Sequence, residues 1–543
     1  MDISYCFNLF SSDVPPPPEH THEDMTDINF NALPSLKHLR IEFCGITGMW
    51  VSVMLRHAPA LEELRLYHCD QISGLLIEVG DSSSSNHTSA PRAPSAGNPD
   101  DALTSSTPDG LLRIPSNLIP SLKNMTISWC GELTFQGNKD GFSVFTSLEE
   151  LTIRGCPKLI PSLVQTYENN DQRNGRWLLP YSLGKLEIDG SPETLQPCFL
   201  EDHNCLEKLE IKESPSLKLL QLHSCTALEE LAVHDCESLP ALEGNFTCLK
   251  RLELSYNSGL ESLQLRSCTT LEELTVESCE SLATLEGNFT CLKRLELSYN
   301  SWLESLQLRS CTTLEELTVE SCESLATLEG NFTCLQKLDL FDNPRLKSLQ
   351  LRSCTALEEL TVRSCESLAA LEDFWSLRCL RYLVISKCPG LLPYLEHLSS
   401  EGYELCAGLE RLDTDYYSFL TTSFCKCLTS LRRLELHDPT GEVTGLTEEQ
   451  ERALPHLTSL QELRFEDFTY LESLPVGLHS LSSLKRLEII ACHWISRLPE
   501  KGLPPSLEEI EISGCSEELT DECRMLATKT RKPKVKIGGK YVS

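Results

Sequence analysis

Leucines recur along this chain with a short and regular period. Each unit opens with Leu at position 1, places apolar residues at positions 4 and 6, and alternates them with mostly polar residues at 3, 5 and 7. A Cys or Asn commonly follows at position 9. In the middle of the chain, units begin at Leu206, Leu228, Leu249, Leu271, Leu292, Leu314, Leu335 and Leu357, and the spacing alternates between 22 and 21 residues. Earlier starts are Leu36, Leu61, Leu122, Leu148 and Leu183; later ones are Leu380, Leu409, Leu431, Leu460, Leu484 and Leu507, which makes nineteen. Period-two alternation over positions 3–7 predicts a short strand with one buried face. Position 1 and the later leucines, such as Leu260, Leu263 and Leu265, are expected to fill the space behind it. An Asn amide at position 9 could satisfy backbone groups where the chain turns, and a Cys is small enough to be buried in the same place. One unit cannot bury its leucines alone, so the units must stack into one continuous core.

The repetition is nearly literal in one place. Residues 249–291 recur as 292–334 with a single change, Gly259 to Trp302. Trp302 is expected to cover the back of the repeats. Two spacings depart from the rule. Residues 81–110, rich in Ser, Pro, Ala and Asp, have too little apolar content to order themselves and read as an exposed insertion. A second break around 168–175 reads as a further loop. Three segments result: a Pro-rich N-terminal segment at 1–33 carrying VPPPPEH, repeats over 34–515, and a C-terminal cap at 516–543. In the cap, 516–529 predicts a helix with Ser516 as N-cap, and KPKVKIGG a last strand.

Composition narrows the function. Acids outnumber bases 80 to 47, for a formal charge of −33. That argues against nucleic acid, whose phosphates call for Lys and Arg. No apolar run approaches the ~18 residues of a membrane span, and residues 1–14 have no signal-peptide pattern. Many of the 26 Cys are evenly spaced at one repeat position, which suits small buried thiols in a reducing, cytoplasmic setting better than bridges. The glycosylation-type triplets at Asn86, Asn124, Asn245, Asn288 and Asn331 are then expected to be unmodified.

The sequence carries none of the common catalytic or cofactor motifs. There is no phosphate-binding G-x-x-x-x-G-K-S/T, no H-E-x-x-H and no G-x-S-x-G. Cys425 and Cys427 have no partner pair, and His203 with Cys205 merely precedes a repeat. The expectation is a non-enzymatic chain without cofactor or metal.

If the strands are parallel and in register, positions 2, 3, 5, 7 and 8 project from one face. Position 3 then reads Lys208, Glu230, Arg251, Glu273, Arg294, Glu316, Lys337 and Glu359, an unbroken alternation of sign. Strands ~4.8 Å apart would set each charge between two opposite ones, a self-neutralised surface in which each exposed pair contributes little. A secondary acidic row remains at position 5: Glu210, Glu253, Glu296 and Asp339. Beyond residue 380 the alternation is expected to fail. Arg381, Tyr382, Arg411, Arg432, Arg433, Lys485 and Arg486 occupy positions 2 and 3, near Asp413, Tyr416, Arg464 and Trp494. Arg and aromatic residues are enriched at binding hot spots, so this group is the candidate protein-binding face.

Phrases such as LPSLKHLRIEFC, SLEELTIRGCPKL and GLPPSLEEIEISGC resemble the repeat region of plant nucleotide-binding leucine-rich-repeat disease-resistance receptors, most of all the coiled-coil class. The resemblance covers nearly all of 30–543. It implies an α/β solenoid: a leucine-rich repeat horseshoe with a curved parallel sheet on the concave face, and irregular loops and short helical turns on the convex face. It also implies a role in sensing a pathogen effector or a guarded host protein, and in holding a nucleotide-binding module inactive, in cis or in trans. The chain has no phosphate loop, so nucleotide switching falls on none of its residues. A substrate adaptor for ubiquitin-dependent degradation, or a stand-alone scaffold, is the alternative. An adaptor would need a helical docking segment near the N-terminus, where residues 1–35 are short and Pro-rich.

Overall fold

The computed structural model describes residues 1–5, 33–79, 110–137, 140–168, 179–190, 204–400, 407–417, 420–438, 441, 443–529 and 532–542. The 81–109 part of the expected insertion, and most of the second break, lie outside the described residues. The chain forms two compact units, Met1–Leu260 and Glu261–Ser543.

Each of the nineteen predicted units forms its strand at the predicted place. In the first unit, His38–Glu42, Glu63–Tyr67, Asn124–Ser128, Glu150–Arg154, Lys185–Asp189, Lys208–Lys212, Glu230–His234 and Arg251–Ser255 pair in that order, all parallel. In the second, a parallel sheet runs from Glu273–Glu277 to Glu509–Ser513 without a skipped rung. Pairing is always position 3 with position 3, as in Glu273 with Arg294 and Leu274 with Leu295. Register is fixed because a slip by one residue would turn every Leu outward. Apart from Leu36, which is half-buried, the leucines at positions 1, 4 and 6 are buried; Leu252, Leu274 and Leu295 are 2% exposed or less. This is the α/β solenoid of leucine-rich repeats.

Position 9 works as expected and in more detail. The amide of Asn300 donates to the Val276 carbonyl (2.8 Å) and accepts from the Cys279 N–H (3.1 Å), one repeat earlier. Asn257 and Asn343 do the same. Where Cys stands instead, its thiol makes the weaker reach to the same carbonyl, as Cys388 to Val362 (3.7 Å). Position 8, just before, holds the left-handed turn that reverses the chain. Tyr256, Ser278, Tyr299 and Ser321 all have φ between 51° and 58°, a conformation that most residues avoid and the stacked neighbours impose here.

Four expectations need correction. The back of the central repeats is not made of loops and helical turns. A second parallel ladder runs there, through Ser262–Leu265, Thr284–Gly287, Ser305–Leu308, Thr327–Gly330, Ser348–Gln350 and Ala370–Glu372. The S-L-Q-L and T-L-E-G phrases alternate apolar and polar just as the first strand does. Gly287 and Gly330 end two of these strands because a Cβ there would collide with the buried rings of Phe289 and Phe332.

Residues 1–5 are not part of a linker. Asp2–Ser4 pairs parallel with His38–Glu42 as a further rung, and MDISYC spells positions 4–9 of the template. Trp302 is not packed down as a cover: it is 66% exposed. Nor are all the cysteines buried. Cys205, Cys248, Cys291, Cys334 and Cys379 are exposed, each immediately before a position-1 Leu. Cys268, Cys311 and Cys354 are buried, and burial pushes their thiols up to about 12, so they stay protonated at neutral pH.

Helices appear where repeats lengthen, at Gly48–Arg56, Leu159–Glu168, Leu392–Ser400 and Glu448–Ala453, and also at Thr422–Cys427 in a repeat of ordinary length. The helix Glu517–Lys529 follows the last repeat, with the Ser516 hydroxyl accepting the Leu519 N–H (3.1 Å) as its N-cap. Lys534–Ile537 adds a parallel strand beside Glu509–Ser513, and Lys540–Val542 folds back antiparallel. Among the described residues, no helix is long and apolar enough to cross a membrane.

Candidate functional site

The outer face of each sheet is built from positions 3, 5 and 7. In the central repeats it is the alternating surface that the sequence predicts. Lys208 meets Glu230 at 2.6 Å, and Arg294 is paired with Glu273. Position 2 adds Lys250 with Glu229 and Lys293 with Glu272, both at 2.8 Å. These side chains are well exposed.

Past residue 380 the expectation that alternation fails holds only in part. Position 2 continues Glu358, Arg381, Glu410, Arg432, Gln461, Lys485, Glu508, with a cation on every second strand. Position 3 breaks rhythm only at Tyr382, Arg411 and Arg433, then resumes with Glu462, Arg486 and Glu509. Position 5 makes up the difference with carboxylates that the strands bury: Asp413 is 3% exposed, Glu435 5% and Glu488 6%. Glu435 takes Arg411 at 2.7 Å and Arg433 at 2.6 Å, so two adjacent arginines share one buried acid. Arg433 also reaches Glu462 (2.8 Å). Arg464 reaches Glu466 (2.7 Å) and Glu488 (3.0 Å). Arg486 holds Glu488 (2.7 Å) and Glu511 (2.8 Å).

Asp413 is the hub of this network rather than an exposed contact residue, which corrects its placement on an open face. Its carboxylate lies 2.9 Å from both Arg363 and His437. Burial alone would raise the Asp413 pKa, but the hydrogen bond and charge of His437, with Arg363 and Arg411, hold it below the usual carboxylate range. Burial alone would lower the His437 pKa, but Asp413, Glu466 and Glu435 raise it. The same burial raises Asp415, whose carboxylate accepts the Lys387 N–H at 2.7 Å. Ligand atoms of Asp413, Glu435 and His437 lie within 4.8 Å of one another, a spacing a metal ion could use. Arg363, Arg411 and Arg433 already neutralise those carboxylates, so the cluster works as an ion-pair hub.

The remaining candidates separate by position. Arg381, Tyr382, Arg432, Lys485 and Trp494 are exposed, while Arg411, Arg433, Arg464, Arg486 and Tyr416 are half-buried. Trp494 is 55% exposed and packs edge-on against Tyr470, itself 46% exposed, with ring centroids 5.4 Å apart. Both stand two residues past position 9 in neighbouring repeats, a coincidence visible in the sequence but missed there. Arg363, His437, Glu435 and Glu488 were also missed; each is an ordinary strand residue whose importance comes from its cross-strand neighbours. The secondary acidic row is partly committed. Glu210 pairs with Lys212 (2.5 Å) and Asp339 with Lys337 (3.1 Å), whereas Glu296 is exposed and, among the described residues, has no ion pair.

No family model matches the chain, and no curated protein matches it. Among solved structures it is similar to a leucine-rich repeat protein of Leptospira interrogans, at 17% identity, covering 77% of this chain and 96% of that one, with a TM-score of 0.37. An internalin of Listeria monocytogenes is 14% identical over 68% of this chain and 87% of its own, TM-score 0.28. The plant peptide hormone receptor RGFR1, solved in complex with RGF2, is 14% identical over 72% of this chain and 79% of its own, TM-score 0.23. These likenesses concern the fold. The repeats themselves describe a leucine-rich repeat solenoid that presents side chains on regular strands.

Proposed function

We propose that the chain is the protein-recognition module of a plant intracellular immune receptor, acting without catalysis in the cytoplasm or nucleus. It senses a pathogen effector or a guarded host protein and restrains a nucleotide-binding module, in cis or in trans. The receptor class rests on the sequence resemblance. The recognition role is supported by one structural observation: exposed aromatic side chains, Trp494 with Tyr470 and separately Tyr382, occur in the repeats whose arginines are held rigidly by buried acids. Such anchors lose little side-chain entropy on binding and carry large contact area. The recognition surface accordingly comprises Arg381, Tyr382, Arg432, Lys485 and Trp494 as contacts, with Arg411, Arg433, Arg464 and Arg486 fixed beneath them.

The test joins this chain to the signalling and nucleotide-binding domains of a coiled-coil-class receptor and expresses the fusion in leaf tissue. The fusion stays silent and triggers cell death when co-expressed with its effector, found by screening secreted pathogen proteins. Trp494→Ala with Tyr382→Ala keeps the silence and loses the response. A fusion that signals as strongly as the upstream domains alone would sink this reading.

A further inference from the structure

The strand-starting edge of the sheet in the second unit carries a feature that the outer face does not explain. An open groove of about 1060 Å³ runs along it, from Glu358 to Lys532. Its lining includes Arg378, Arg381, Arg432, Lys485 and Lys532 against Glu358, Glu410 and Glu508. Arg381 lies 3.9 Å from Glu358 and 3.6 Å from Glu410, which accounts for two of the three acids. Among the described residues, no carboxylate pairs with Arg378, Arg432, Lys485 or Lys532. All four are exposed. In a chain of charge −33, whose outer-face arginines nearly all have carboxylate partners, four unpaired cations in one groove are a local reversal of sign.

The groove has a period. Arg381, Arg432 and Lys485 enter from alternate strands, and Lys532 stands two residues before Lys534, which starts the strand two rungs after that of Lys485. Two strand spacings set neighbouring cations about 9.6 Å apart, which is about three residues of extended chain. The floor cannot add a strand, because its backbone is already used. Each position-2 carbonyl accepts two N–H groups from the next repeat, as Arg432 does from Gln461 (2.8 Å) and Glu462 (2.9 Å). Ser459 and Ser483 likewise spend their hydroxyl protons on the Thr429 and Thr458 carbonyls, both at 2.6 Å. Recognition therefore has to be made by side chains, chiefly by charge.

We infer that this groove binds an extended acidic segment of a partner protein, with carboxylates at every third residue meeting Arg432, Lys485 and Lys532, and a further one meeting Arg378 beside Arg381. Seven strand spacings, ~34 Å, accommodate about ten residues. The acidic surroundings select against a nucleic-acid backbone, whose charges are denser and continuous. The inference deepens the proposed recognition role, because Arg381, Arg432 and Lys485 belong to both surfaces, but it does not rest on the receptor class.

The test measures fluorescence anisotropy of a labelled dodecapeptide of four Glu-Ser-Gly repeats with the full chain. Binding is expected, weakening as salt rises from 50 to 200 mM. Reversing Arg378, Arg432, Lys485 and Lys532 to Glu weakens it at least tenfold. Reversing Arg266, Arg309, Arg345 and Arg352, exposed elsewhere in the same unit, changes the net charge equally and leaves binding within twofold. A peptide of identical composition with its four Glu consecutive binds several-fold more weakly. If the groove reversal impairs folding, as circular dichroism would reveal, Arg432→Gln with Lys485→Gln takes its place, with a threefold loss expected. Equal effects of both reversals, no binding at all, or tighter binding of a 12-nucleotide single strand would overturn the inference. None of these outcomes bears on Trp494 and Tyr382, so the two readings fail separately.

Discussion

The repeats from Glu273 to Arg363 and those from Tyr382 to Ser513 share one template and one sheet, yet they handle charge in opposite ways. In the first group, charges alternate along single rows, each pair stands in solvent, and the buried polar residues are uncharged position-9 amides such as Asn300 and Asn343. In the second, acids sink into position 5, arginines from both sides close over them, and position 9 holds Cys, Tyr417, Pro439 or Phe468 and never the amide. The first arrangement can be copied without limit because each unit needs only its neighbour's sign. The second cannot be copied, since Asp413, Glu435 and Glu488 each depend on particular partners on adjacent strands. Near-duplication is accordingly found in the first group, and the packed pair of exposed rings, Tyr470 with Trp494, in the second.

The comparison is broken most severely at the hub. Asp413→Ala leaves Arg363 and His437 half-buried without their acid, and should cost about 3–5 kcal/mol, measured by urea denaturation. Asn300→Ala removes a uniform feature instead. It orphans the Cys279 N–H and the Val276 carbonyl, for about 2–4 kcal/mol. Asn300→Cys should recover part of that, because Cys fills this position in other repeats.

Titration gives a smaller effect. His437 has a folded pKa above its unfolded value, so its stabilisation is fully present below about pH 6.5 and is lost as pH rises through the folded value. Asp413 has a lowered pKa, so its stabilisation is present above about pH 4 and is lost as pH falls through the folded value. The hub is therefore strongest between those limits. His437→Gln should flatten the decline on the alkaline side without changing the acid limb's direction. The smallest effect belongs to the exposed row: Arg294→Ala should leave the denaturation midpoint within error, and added salt should not change that result. A large loss at Arg294 would erase the distinction between the two groups.

The strand positions were legible because a period of two within a period of 21 or 22 has few other ways to bury its leucines. The amide at position 9 was legible for the same reason, and its repeat-to-repeat bonds follow once the stacking is granted. The second ladder behind the central repeats was equally present in S-L-Q-L and T-L-E-G, but a stretch of two to four residues looks like a loop until its neighbours align. The rung at Asp2–Ser4 was concealed by the Pro-rich residues after it.

The candidate face was legible by residue type and not by state. Arg433 and Arg464 look like free hot-spot residues in the sequence, while Arg378 and Lys532 draw no notice. Which of them carries an unpaired charge depends on the residues one and two strands away, 20 to 50 positions distant along the chain.

What the sequence alone determined is the solenoid itself: each unit, its inward leucines, its turn and its register, because these follow from local alternation and from the need to bury what one unit cannot. Only the tertiary structure decided which charges are spent and which remain available. Coulombic pairing acts through space between strands, and the same arginine is bound or free according to the neighbour that stacking places beside it.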